Sequence, residues 1–176
     1  MTPPRRPIDE SEILSTLDAL WAMDHGLQAV SRSMQARLGV TGPQRFVLRV
    51  VGRRPGLTAG ELARTLHDHP STLTAMLKRL VAQGLVQREG DPADQRRVRL
   101  RLTSAGADID RLHDGTAEAA VLAALALIPP QDADTFRRVM GLLAQQLDLT
   151  ARSGSEPARS PGEPAPSAGE PVSSSG

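Results

Sequence analysis

At 176 residues and 39% hydrophobic content, the chain can build one domain with a tail, and with only Trp21, Phe46 and Phe136 as aromatics its core must rest on aliphatic side chains in packed helices. It has no cysteine, which excludes a disulfide framework, a cysteine zinc cluster, an iron–sulfur site and thiol redox sensing. The net charge of +1 hides a segregation: residues 45–101 carry twelve basic and five acidic side chains, residues 102–150 three basic and seven acidic. A central block of +7 beside an acidic arm of −4 is the electrostatic footprint of a nucleic-acid-binding module. A solvated arginine-rich surface is the alternative that charge alone leaves open.

Residues 1–7 hold three prolines and are expected to form a disordered arm. Arg5-Arg6 leads into Pro7 and an acidic stretch, so no secretory signal is expected. Next, Ile13, Leu17, Leu20, Leu27, Val30, Met34 and Leu38 recur at helical spacing, with acidic residues gathered at the start. They predict one helix from Asp9 to Leu38, stopped by Gly39. Such a helix is about 40 Å long at 1.5 Å per residue, too long for a small lobe to cover. It is expected to pack on a second chain.

Shorter helices follow. Thr41-Gly42-Pro43-Gln44 is a capping-box pattern opening a helix that Arg53-Arg54-Pro55-Gly56 closes. Thr58 and Glu61 form a second capping box, ahead of inward-facing Leu62, Ala63 and Leu66. After His67-Asp68-His69, Pro70 suits the first turn of a third helix, over residues 71–83, ended by Gly84. Two compact helices in succession, the second bearing Ser, Thr, Lys and Arg, make a helix-turn-helix pattern. Strands are then expected at 85–89 and 96–102, joined by the turn-forming run Gly90-Asp91-Pro92-Ala93-Asp94. The second alternates strictly, with Val98, Leu100 and Leu102 on one face and Arg97, Arg99 and Arg101 on the other. A hairpin in that position is the wing of a winged helix. Thr103 or Ser104 should cap a further helix reaching Ile128, where Pro129-Pro130 breaks it. The longest apolar run, residues 119–128, falls short of a membrane span. A last helix is expected over residues 131–149. The closing segment, residues 151–176, contains sixteen Pro, Gly or Ser and is expected to be a disordered tail.

The run Asp94-x-Arg96-x-x-x-Leu100-x-Leu102-Thr103, with Asp91-Pro92 before it and Ala105-Gly106 after it, resembles the wing signature of MarR-type bacterial transcription regulators. Pro55-Gly56-Leu57-Thr58, Glu61-Leu62-Ala63 and Leu80-x-x-x-Gly84-Leu85-Val86-x-Arg88 are similar to that family too, and the likeness covers residues 10–148. The resemblance implies a mainly α fold with a small β-hairpin. Residues 41–103 would form the DNA-binding lobe, and residues 8–40 and 104–150 the dimerisation helices, within one domain over 8–150. It implies a homodimeric, cytoplasmic, DNA-binding repressor on a near-palindromic operator, responsive to a small aromatic or anionic effector.

On that reading residues 71–83 form the recognition helix. Periodicity turns Leu73, Met76, Leu77 and Leu80 inward. Ser71, Thr72, Thr74 and Ala75 are then available to base edges, and Lys78 and Arg79 to phosphates. Helix capping is the competing role for Thr72 and Thr74. Arg96 and Arg97 are placed at the wing tip, Arg96 matching the family's signature arginine and Asp94 shaping the tip. Arg99 and Arg101 read as a solvated strand face, and Arg53 and Arg54 as cappers of helical carbonyls or phosphate contacts. Trp21, His25 and Arg45 are candidates to line an effector cavity, with core packing the alternative for Trp21. His67 and His69 supply at most two metal ligands, so a metal-responsive repressor ranks below, and no cofactor is expected. A winged-helix protein-interaction module without sequence-specific DNA binding is the remaining alternative. No phosphate loop, clustered carboxylates or nucleophile arrangement supports an enzyme.

Overall fold

The computed structural model describes residues 7–66, 69–91 and 94–153, and for Gln95 and Arg96 the backbone alone. The arm before Pro7, the tail after Ser153, His67 and the Pro92-Ala93 turn lie outside the described residues. The chain divides between Leu127 and Ile128 into two compact units.

In the first unit, α1 (Glu10–Leu38) starts where Glu12 accepts the Asp9 backbone N–H at 3.3 Å, and stops where Gly39 turns left-handed at φ 72°. Helix α2 (Gly42–Arg53) carries the expected capping box, Thr41 and Gln44 exchanging bonds at 2.9 and 3.4 Å. Helix α3 (Ala59–Leu66) does the same through Thr58 and Glu61. Helix α4 (Pro70–Ala82) begins at its proline, one residue before the expected start. Strands β1 (Val86–Asp91) and β2 (Asp94–Leu102) form an antiparallel hairpin, Val86 opposite Leu102 and Gly90 opposite Val98.

The expected single helix over 103–128 is two helices, α5 (Ser104–Arg111) and α6 (Ala117–Leu125). Leu112 is extended, Gly115 takes φ 67°, and Thr116 caps the new helix by accepting from the Ala119 N–H. Asp114-Gly115 is a turn signal inside an otherwise helical pattern.

The core of this unit is aliphatic, as composition predicts: Val47, Leu48 and Val51 from α2, Leu62 from α3, Leu73, Leu77 and Leu80 from α4, and Leu100 from β2. Burying each leucine contributes about 1.5–3 kcal/mol. The hairpin is tied to the lobe at its base, on two sides. The Gly56 N–H donates to Leu100 and the Leu100 N–H to Leu57, each at 2.9 Å, so residues 56–57 act as a third strand edge. Beside it Thr103 donates its backbone N–H to the Leu85 carbonyl at 3.1 Å. A side chain at Gly106 would collide with that same carbonyl oxygen, so only glycine lets α5 pack there.

The second unit is one helix, α7 (Pro130–Ser153), four residues longer at its end than spacing predicts. Ala133 is buried, while Phe136, Val139, Leu142 and Leu147 are exposed.

Candidate nucleic-acid interface

Helix α4 presents two chemically different faces. Leu73, Leu77 and Leu80 are buried and Met76 half-buried. That leaves Ser71, Thr72, Thr74, Ala75, Lys78 and Arg79 exposed together, as the 3.6-residue period requires. The cap is neither threonine but His69, whose Nδ1 lies 2.8 Å from the Ser71 hydroxyl and accepts its backbone N–H at 3.4 Å. Thr74 donates its hydroxyl to the Pro70 carbonyl at 2.7 Å, which fixes its rotamer and leaves its oxygen free to accept. Lys78 and Arg79 follow one turn further along the same exposed surface.

The wing carries Asp94 and Arg97 exposed, 3.7 Å apart as an ion pair, with the backbone of Arg96 between them in β2. Alternation holds in part. Leu100 is buried and Leu102 half-buried, but Val98 is exposed, because the hairpin projects beyond the lobe there. Arg99 and Arg101 are not a simply solvated face: Arg99 pairs with Asp91 at 2.6 Å and Arg101 with Glu89 at 2.8 Å. Asp91 holds the Arg99 guanidinium more firmly charged than an ordinary arginine. Nearby, hydrogen bonds from Thr58 hold the Glu61 carboxyl below its usual range.

A cleft of about 840 Å³ opens between α2 and α6. Phe46, Val50 and Leu122 form its apolar wall, with Arg49, Arg53 and Arg54 bringing positive charge and Asp114 and Glu118 negative charge. Arg49 is held by Asp110 at 3.2 Å, and Arg54 donates to the Thr65 hydroxyl at 3.4 Å. Arg45 does not line the cleft. Its side chain is fully buried, donating to the carbonyls of Ile109, Asp110 and Leu112 and pairing with Glu118 at 3.3 Å. It closes the carbonyl end of α5 and ties α2 to α6. Trp21 and His25 are absent from the cleft lining as well, and Trp21 is two-thirds exposed. Among the described residues no three His, Asp or Glu side chains are grouped to hold a metal ion, and no helix is long and apolar enough to cross a membrane.

Residues 38–97, from the end of α1 into the wing, match the sequence model of the MarR family. In these residues, about a third of its length, the chain is similar to that family. The HTH-type transcriptional regulator TtmR of Methylorubrum extorquens (strain PA1) is 39% identical over 88 residues, which are 50% of this chain and 45% of that protein. The chain thus spans about half the length of the curated relatives it matches. In fold, it is similar to MepR in the S. aureus MepR–DNA complex, at 17% identity and TM-score 0.61, over 73% of this chain and 95% of MepR. It is similar also to the PcaV regulator of Streptomyces coelicolor, solved with its natural ligand, at 23% identity and TM-score 0.61, over 80% of this chain and 98% of PcaV. The likeness in fold extends past the sequence match into the flanking helices.

Proposed function

We propose that this protein is a cytoplasmic, homodimeric, non-enzymatic transcription regulator: a repressor that binds a near-palindromic DNA operator and is released by a small aromatic or anionic effector. One observation carries the reading: the exposed polar face of α4 and the hairpin wing stand on one lobe, within the +7 block. In this reading Ser71, Thr72, Thr74 and Ala75 meet base edges in the major groove, and Lys78 and Arg79 meet phosphates. Asp94, Arg96 and Arg97 serve the wing in the adjacent minor groove. The cleft between α2 and α6 supports the effector, since its apolar wall suits an aromatic ring and its arginines a carboxylate. MepR with DNA and PcaV with its ligand are the precedents.

A salt titration of two variants tests the DNA reading. Arg96→Ala should weaken binding to enriched and unrelated duplexes alike and lower the salt slope by roughly one phosphate equivalent. Thr74→Ala should cost on the order of 1–2 kcal/mol, mostly on the enriched duplex. An Arg96→Ala protein with unchanged affinity and slope on both duplexes would remove the wing from the interface.

A further inference from the structure

Two arginines of β2 are staggered against their acids. In register, Arg99 stands opposite Glu89 and Arg101 opposite Gln87. Each guanidinium nevertheless reaches the acid two residues nearer the tip, Arg99 to Asp91 and Arg101 to Glu89. The two pairs differ in surroundings. Glu89 and Arg101 are both exposed, and an exposed pair of that kind holds little. Asp91 is only 5% exposed and sits at the irregularity between Gly90 and Asp91, where the hairpin departs from regular pairing.

The Arg99 guanidinium also lies against Gly56, 3.4 Å from where a side chain would begin. Gly56 and Leu57 are the residues that hydrogen-bond Leu100 of β2. A polar cavity of about 240 Å³ lies at this junction, bounded by Thr58, Glu61, Asp91, Arg97 and Arg99 among others. Glu61, at the start of α3, adds further attraction to Arg99. The pair therefore stands where wing, third strand edge and first turn of α3 meet. A two-stranded hairpin alone is marginal in water and takes its orientation from such attachments.

We infer that Asp91 and Arg99 are a positioning pair, which fixes the angle at which the wing leaves the lobe and so presents the wing-tip cation to DNA without touching DNA itself. The inference rests on the DNA-binding reading above. A residue acting only through Arg96 must lose its effect when Arg96 is gone, because coupled residues are non-additive.

The experiment is a cycle on the full-length protein. Asp91→Asn and Arg99→Gln are each made in the native and the Arg96→Ala background. Binding is measured on a duplex enriched from a random pool by the native protein and on an unrelated duplex. With Arg96 present each variant should bind about tenfold more weakly; without it the further loss should be within about twofold. Equal losses in both backgrounds would mean direct DNA contact or general destabilisation, and would overturn the inference. So would unchanged binding in the native background. Should either variant prove unfolded by circular dichroism, Arg99→Lys keeps the charge, loses the fork, and faces the same two criteria. A native protein that binds neither duplex would instead remove the DNA-binding reading, a result distinct from failure of the pair.

Discussion

The winged lobe and the long first helix dispose of their apolar side chains in opposite ways. In the lobe Leu48, Leu62, Leu73, Leu77, Leu80 and Leu100 are at most 1% exposed. On α1, Ile13, Leu14, Leu17, Trp21 and Leu27 stay 41–66% exposed, and Leu122 on α6 stays 72% exposed. Apolar residues at helical spacing run through both regions. What differs is the number of neighbours geometry can supply. Helices of eight to thirteen residues close on one another, whereas a 29-residue helix outruns them. A contiguous exposed stripe of this size is uncommon on a monomer and marks an association surface. In the homodimer proposed above the folding unit and the assembly unit would be different objects, and substitutions should separate them.

The largest effect is expected at the residue joining α2 to α5 and α6. Arg45→Met would leave the carbonyls of Ile109 and Leu112 and the Glu118 carboxylate without this donor, while the Asp110 carbonyl keeps Arg49. Each buried carbonyl left unsatisfied costs about 1–3 kcal/mol, so the loss should be about 2–6 kcal/mol. Urea denaturation would read it, and a loss under about 1 kcal/mol would mean that water satisfies those carbonyls. Leu77→Ala comes next at about 2–5 kcal/mol, from a fully buried site with no slack. Trp21→Ser is its counterpart. It should leave hydrogen-exchange protection of α2–α4 unchanged and raise the dimer dissociation constant in sedimentation equilibrium. If Trp21→Ser unprotected the lobe as much as Leu77→Ala, the contrast between the two regions would collapse.

Local rules served where local chemistry decides. The bounds of α1, both capping boxes, the proline start of α4 and the wing hairpin follow from residues within four positions of one another. The exposed set on α4 follows from the helical period. The departures are tertiary. Arg45 has a charge that argues for the surface, and only carbonyls 64 to 67 residues away explain its burial. Asp91 reads as a turn former, and its burial against Arg99 depends on a strand irregularity that composition does not encode. The break between α5 and α6 was legible in Asp114-Gly115-Thr116, but continuous apolar spacing on both sides outweighed it.

The smallest expected effect tests whether the lobe is self-contained down to its caps. Glu61 accepts from the Thr58 N–H at 2.8 Å and from the Thr58 hydroxyl at 2.9 Å, and these bonds hold its carboxyl below the usual range. A group whose folded pKa is depressed contributes stability that is present above its unfolded pKa. That contribution is lost as pH falls through the folded value. Thr58→Val keeps the shape and the backbone donor but removes the hydroxyl. The variant should melt a few degrees lower at neutral pH, as expected for a lost cap. The gap should then narrow on acidification, because protonated Glu61 gains less from the hydroxyl, and level off at the loss of the bond that the hydroxyl accepts from the Glu61 N–H. Melting curves across the acid range would check this, and a gap that stayed constant would mean that the bond to the Glu61 carboxylate contributes nothing. Unlike the effect of Trp21→Ser, this gap should not change with protein concentration, since every group involved belongs to one lobe.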